Sequence, residues 1–283
     1  MASGVLQGLV RRAPRWRALA GASLVALSTA GCLSRVPDVT GSIGATAAPK
    51  TEDGWRRESE TAGRRFEANP GDATAALRYA AALRALDQHA QAVAVLQQAA
   101  IRNPKHPQVL GAYGNALADV GRYAEAADVL GHAHTPERPD WRILSAQGAV
   151  ADQMGDHARA QQYYEAALRI VPNDASVLSN LGLSYALAQR LTEAERTLNQ
   201  AAGLPGADAR VRQNLALVLG LQGKFAEAET VLRRDLPPGE VAANMAALRG
   251  MVSQPNSWAA IRRAARPKAT LAPGASMPAS PKA

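Results

Sequence analysis

The chain has 283 residues, 47% of them hydrophobic but only 4% aromatic, with a formal charge of +8 and an isoelectric point of about 10.0. Few aromatics with abundant Ala and Leu suit stacked small-residue helices better than a sheet core, and a single cysteine excludes an intramolecular disulfide. The charge distribution argues against a nucleic-acid partner: residues 1–31 carry +4, residues 253–283 carry +5 and the body between them −1, so the basicity belongs to the two ends, whereas a solenoid gripping a phosphate backbone would need a basic stripe on its folded face.

The N-terminus reads as an address. Arg11, Arg12, Arg15 and Arg17 form a positive start, and residues 18–31 (ALAGASLVALSTAG) are apolar or small and uncharged. That run is shorter than the about 20 apolar residues a membrane span needs, so residues 1–31 read as a secretory signal. Its end, Leu27-Ser28-Thr29-Ala30-Gly31-Cys32, resembles a bacterial lipobox, with Thr29 departing from the usual leucine. The resemblance implies cleavage between Gly31 and Cys32 and diacylglyceryl attachment to the Cys32 thiol. Multiple acyl chains give lasting attachment where a single one is marginal. Leu33 rather than an aspartate follows the cysteine. In the lipoproteins of diderm bacteria this implies delivery to the outer membrane, facing the periplasm. The alternative is an incidental thiol in a signal or anchor helix.

Residues 32–50 are rich in Gly, Ala, Ser, Thr and Pro without periodicity, and are expected to tether the anchor to the folded body. Residues 51–69 predict a charged, weakly amphipathic helix ending at Asn69-Pro70. With residues up to 72 it forms an N-terminal capping helix, polar on one side.

From residue 73 a ladder governs the sequence. Ala92, Ala126, Ala160, Ala194 and Ala228 stand 34 residues apart. Four residues past each lie Leu96, Leu130, Tyr164, Leu198 and Leu232, and three further on lie Ala99, Ala133, Ala167 and Ala201, with Asp235 breaking the rule. Twelve residues before each ladder alanine come Ala80, Gly114, Gly148, Gly182 and Ala216. Turn signals fall at Asp87-Gln88, Gly121-Arg122, Gly155-Asp156, Gln189-Arg190 and Gly223-Lys224. Pro104 and Pro172 close two of the units. Small residues let paired helices cross closely, and the large apolar ones fill the remaining space. This period and pattern resemble the tetratricopeptide repeat. The expected fold is therefore all-α: a solenoid of five helix–turn–helix units over residues 73–236, starting at 73, 107, 141, 175 and 209. Pro237-Pro238-Gly239 breaks the chain, and residues 240–252 predict a last helix. Its Val241, Met245 and Leu248 cover the open end, so that 237–252 caps the stack. Residues 253–283, with five prolines and no acid, predict a basic disordered tail with at most a helical turn around Trp258 and Ile261.

No catalytic site, cofactor or metal is expected. His89 and His157 share one repeat position with Tyr123, Leu191 and Phe225, which marks them as packing residues near the turn. His132 and His134 are spaced to point apart on a helix. Glu125, Glu193 and Glu227 recur at a solvated helix edge. A solenoid of this kind does its work through the groove lined by the first helix of each unit. Groove positions predict Arg78, Asn115, Arg142, Asn180, Arg210, Gln213 and Asn214 as partner-binding residues, with Arg84 and Asp152 also polar there. Asn180 and Asn214, one period apart, could hydrogen-bond the backbone of an extended protein or peptide partner without reading its side chains. The alternative is that these asparagines satisfy neighbouring helix ends. The set does not match the Lys/Asn/Arg clamp of tetratricopeptide domains that capture a C-terminal carboxylate.

The segment from Leu178 to Arg249 reads LSNLGLSYALAQRLTEAERTL, then VRQNLALVLGLQGKFAEAE, then DLPPGEVAANMAALR. It resembles the TadD-type tetratricopeptide lipoproteins of the tight-adherence (Flp pilus) assembly system. The resemblance implies an outer-membrane lipoprotein scaffold that assists pilus assembly, its partner a secretin or another assembly component. An envelope lipoprotein adaptor that recruits cell-wall or other outer-membrane assembly enzymes is the alternative. A cytoplasmic regulator held by an uncleaved helix is a further rival.

Overall fold

The computed structural model describes residues 51–253, all of whose regular structure is helical. The export signal, Cys32, the tether 32–50 and residues 254–283 of the tail lie outside the described residues. Helix α1 (Glu52–Ala68) precedes five pairs: α2 (Ala73–Ala85) with α3 (His89–Arg102), α4 (Pro107–Asp119) with α5 (Tyr123–Gly131), α6 (Trp141–Gln153) with α7 (His157–Ile170), α8 (Ala175–Leu187) with α9 (Leu191–Ala202), and α10 (Ala209–Leu221) with α11 (Phe225–Leu232). Helix α12 (Pro238–Ser253) closes the stack. It starts two residues earlier than its sequence pattern suggested, because proline, with no N–H to satisfy, is tolerated in the first turn of a helix. No helix among the described residues is long and apolar enough to cross a membrane.

Each first helix is started and stopped by the same devices. Asp72, Asp140, Asp174 and Asp208 cap α2, α6, α8 and α10, their carboxylates accepting from backbone N–H groups of the first turn. In the second unit His106 occupies this position, and Pro107 starts the helix instead. At the other end, Gln88, Arg122, Asp156, Arg190 and Lys224 each donate a backbone N–H to the carbonyl five residues back, at 2.8–3.0 Å. The residue before each donor is left-handed: Asp87, Gly121, Gly155, Gln189 and Gly223 have φ of 57°, 78°, 85°, 63° and 79°. This is a Schellman stop repeated at a fixed period.

The small residues do what the ladder implied. All five ladder alanines have 0% exposure. A Cβ built on Gly114 would lie 2.5 Å from Leu130 Cγ, one on Gly148 2.6 Å from Tyr164 Cε1, and one on Gly182 2.6 Å from Leu198 Cγ. The first helix of each of these units thus lies against the large residue of its own second helix, closer than a side chain permits. Burying each such leucine contributes about 1.5–3 kcal/mol. The junction between the second and third units is the irregular one. Gly131 ends α5 early, and residues 132–140 form a loop with a single bridge between Thr135 and Arg138. At the C-terminal end Val241, Met245 and Leu248 of α12 are buried in one cluster with Leu215, Val218 and Leu219 of α10.

Candidate partner-binding groove

Consecutive first helices touch one another: α2 with α4, α4 with α6, α6 with α8, and α8 with α10. Consecutive second helices scarcely meet. The side on which the helices crowd is the inner, concave side, so the first helices line the groove and the second helices form the outer surface.

On the inner side a ladder links the units. Asn180 of α8 donates its Nδ2 to Ser145 Oγ of α6 at 3.3 Å, and Asn214 of α10 donates to Ser179 Oγ of α8 at 3.0 Å. The two bonds are one period apart. Each amide uses one N–H on the serine and keeps a second N–H and a carbonyl oxygen. Asn214 is 5% exposed and Asn115 4%, whereas Asn180 and the neighbouring Gln213 are half-buried. An extended chain in the groove therefore meets Asn180 and Gln213 first. Neither ladder amide bonds a helix end; both tie one unit to the next through side chains.

The cations of the predicted set are spread along the groove and held individually. Arg78 bonds Glu58 of α1 at 2.6 Å. The Arg142 guanidinium stacks on the Trp141 ring, 4.5 Å from its centroid. Arg210 lies 3.5 Å from the Asp208 carboxylate. Arg84 is not a groove cation: its guanidinium bonds Asp119 of the next unit at 2.6 Å, with both side chains mostly buried.

Asp152 is also misplaced by the sequence reading. Its side chain is 7% exposed, at the seam between the third and fourth units. His157 Nδ1 donates to its Oδ1 at 2.8 Å, Ser184 Oγ donates to the same oxygen at 2.8 Å, and Tyr164 OH donates to Oδ2 at 3.3 Å. Burial raises the carboxyl above the usual aspartate range, against the pull of these donors. Burial, with the neighbouring carboxylate, pushes the Tyr164 phenol well above its ordinary value. The arrangement is not a nucleophilic triad. Ser184 and His157 both donate to the carboxylate, so the serine–imidazole contact of such a triad is missing. His157 is thus more than packing; it closes a buried hydrogen-bond cluster. The signal in the sequence is an aspartate at a place held by alanine or glycine in the units either side (Ala118, Ala186, Gly220), with a histidine five residues on.

The other histidines are separate. His132 Nδ1 donates to the Asp128 carbonyl at 2.8 Å, and His134 Nε2 donates to Gln147 Oε1 at 3.1 Å. His89 sits 3.5 Å from Asp87 and 3.8 Å from Asp119. No group of three or more His, Cys, Asp or Glu side chains among the described residues could hold a metal.

The pairing, the period and the crossings have counterparts among known families. Residues 145–209 match a family model described as tetratricopeptide repeat, and residues 209–234 match a second of the same description. The chain folds as a tetratricopeptide-repeat solenoid. Residues 58–133 of this repeat protein match the model of anaphase-promoting complex, cyclosome, subunit 3. No curated protein sequence matches the chain. Among solved structures, the pilF product of Pseudomonas aeruginosa is similar at 22% identity and a TM-score of 0.52, over 69% of this chain and 96% of the other. PilW, a widely conserved type IV pilus biogenesis factor, is similar at 19% identity and a TM-score of 0.58, over 67% and 89%. A thermophilic tetratricopeptide protein of Thermus thermophilus is similar at 23% identity and a TM-score of 0.53, over 61% and 96%. At these identities the likeness is one of fold.

Proposed function

We propose that the chain is a lipid-anchored scaffold of the outer membrane, facing the periplasm. It holds an extended segment of a secretin or another assembly component of a Flp-type pilus machine. The observation that carries the binding reading is the inner Asn–Ser ladder, which leaves the half-buried amides of Asn180 and Gln213 on the groove side, where they can bond a peptide backbone. Arg142 and Arg210 flank that row and favour a partner segment with carboxylates. The pilus assignment rests on the resemblance of residues 178–249 to TadD-type proteins, and two of the structures of similar fold bear pilus names. The anchor at Cys32 would raise the local concentration of the groove at the membrane.

Two measurements test this. Photo-crosslinking from position 213 in membranes, read by mass spectrometry, should capture a pilus-assembly component; Asn180→Leu beside that probe should lose the adduct, and Asn180→Leu with Gln213→Leu should lose surface pili. Adducts with cell-wall enzymes alone would favour the adaptor role instead. Cys32→Ala should leave the protein off the outer membrane, and globomycin should accumulate an uncleaved form. Normal processing under globomycin would end the lipoprotein reading.

A further inference from the structure

The solenoid carries a second opening, on the side away from the groove. An open cleft of about 700 Å³ lies between α7 and α9, with α8 beneath it. Its floor is apolar: Leu168, Leu178 and Leu181. Arg169 on α7 and Arg196 on α9 stand on opposite rims. Both are exposed, and neither forms an ion pair with any described residue. Glu165, the cleft's acid, is engaged by the Tyr185 hydroxyl at 3.4 Å, and Arg190 covers the Tyr185 ring.

The repeat makes this opening informative, because the same place can be compared at neighbouring seams. One period before Leu181 stands Gln147, which accepts from His134 of the preceding loop. One period after Leu178 stands Arg212, which pairs with Asp235 through two bonds and also donates to the Ala207 carbonyl at 3.2 Å. Each neighbouring unit thus has a bonded polar residue at one of the two leucine positions, with Leu144 or Leu215 at the other. The seam between the third and fourth units has leucines at both positions, beside two guanidiniums that are bonded to no carboxylate.

We infer that this outer cleft is a docking site for an acidic segment carrying a leucine or phenylalanine, the apolar side chain seated on Leu168, Leu178 and Leu181 and its flanking carboxylates bound by Arg169 and Arg196. The charge favours this occupant: neither rim guanidinium is bonded to a carboxylate, although Arg196 feels the field of Glu193 on its own helix, and guanidinium–carboxylate bonds are directional and strong once partly shielded from water. Open apolar floors with a few converging polar groups are where side chains of a partner bind. The inference is independent of the inner groove. Together the two sites would let one repeat stack hold two partners on opposite faces.

The test uses the full mature chain and a labelled short peptide in which a Leu-Phe pair is flanked by glutamates. Its counterpart with lysines in place of the glutamates serves as control. Fluorescence anisotropy should show binding of the acidic peptide and not of the basic one. R169E/R196E, both exposed, should leave the circular dichroism unchanged and weaken binding by about tenfold or more. R57E/R102E, exposed on α1 and α3 and part of neither site, should leave it unchanged. Absence of binding by the wild-type chain would overturn the inference, as would binding indifferent to R169E/R196E. Loss of binding in R142E/R210E but not in R169E/R196E would assign the peptide to the groove and overturn the outer site. A concentration-dependent dimer abolished by R169E/R196E would show that a second copy is the occupant, and would overturn the peptide assignment.

Discussion

Two kinds of residue decide this fold, the small ones at crossings and the buried polar ones at seams. Gly148 shows the first kind. Its missing Cβ leaves room for the Tyr164 ring, whose hydroxyl is bonded to Asp152. Gly148→Ala and Ala160→Leu should each cost roughly 1–3 kcal/mol, read as a lower Tm with helicity retained. Gly182→Ala should cost less than Gly148→Ala, because Leu198 can change rotamer while the Tyr164 ring is held. Asp152 shows the second kind. The folded state keeps its proton to higher pH than the unfolded chain does, so ν is larger folded than unfolded within that window. The contribution of this group is greatest below the ordinary aspartate pKa of about 3.9 and declines as pH rises toward its raised folded value. Asp152→Asn should remove that decline. Urea midpoints from acid to neutral pH should therefore move in favour of the variant as pH rises; movement the other way would contradict the assignment.

At the scale of the helix, the turn geometry makes a sharper prediction than composition does. Gly155 has a φ of 85° with nothing within 4 Å of a built Cβ, so Gly155→Ala meets no clash and suffers only the left-handed backbone, at about 1–2 kcal/mol. Gln189 already endures a φ of 63°, so Gln189→Gly should hold or raise Tm. Asp174→Ala should cost about 1 kcal/mol, because the carboxylate caps the N–H groups of Ser176 and Val177. Thermal melts of the three variants check these together. Much of the architecture was legible in the sequence because it depends on spacing: the alanine ladder, the glycines twelve residues earlier and the turn pairs all recur at one period. The aspartates just before four of the five units were equally regular, and reading them would have placed each helix start independently. What spacing could not reveal is direction. Arg84 and Asp152 occupy groove positions by count, but each found a partner across a seam, Asp119 for one and Ser184 for the other, and turned inward. Asn214 likewise faces Ser179 rather than open groove. These outcomes depend on which residue sits about 32 to 35 places away, which a pattern of single positions does not contain.

As a whole the molecule behaves as a row of nearest neighbours, so its ends matter more than its middle. Removing α12 would expose Val218 and Leu219 of α10. A chain ending after Asp235 should therefore lose amide protection in α10 and α11 while α2 to α5 keep theirs, as measured by hydrogen exchange. Equal loss throughout would mean that the stack melts as one body. The Asp152 seam has a wider meaning. A gene shortened by the codons for residues 175–208 would preserve phase, turns and crossings, yet would set Asp152 opposite Val218, one period beyond Ser184. The carboxylate would forfeit the Ser184 hydroxyl, keep that of Tyr164, and face a methyl-bearing wall. Uniform modules are thus not interchangeable: the third recognises the fourth, and the order of the series is written into that junction.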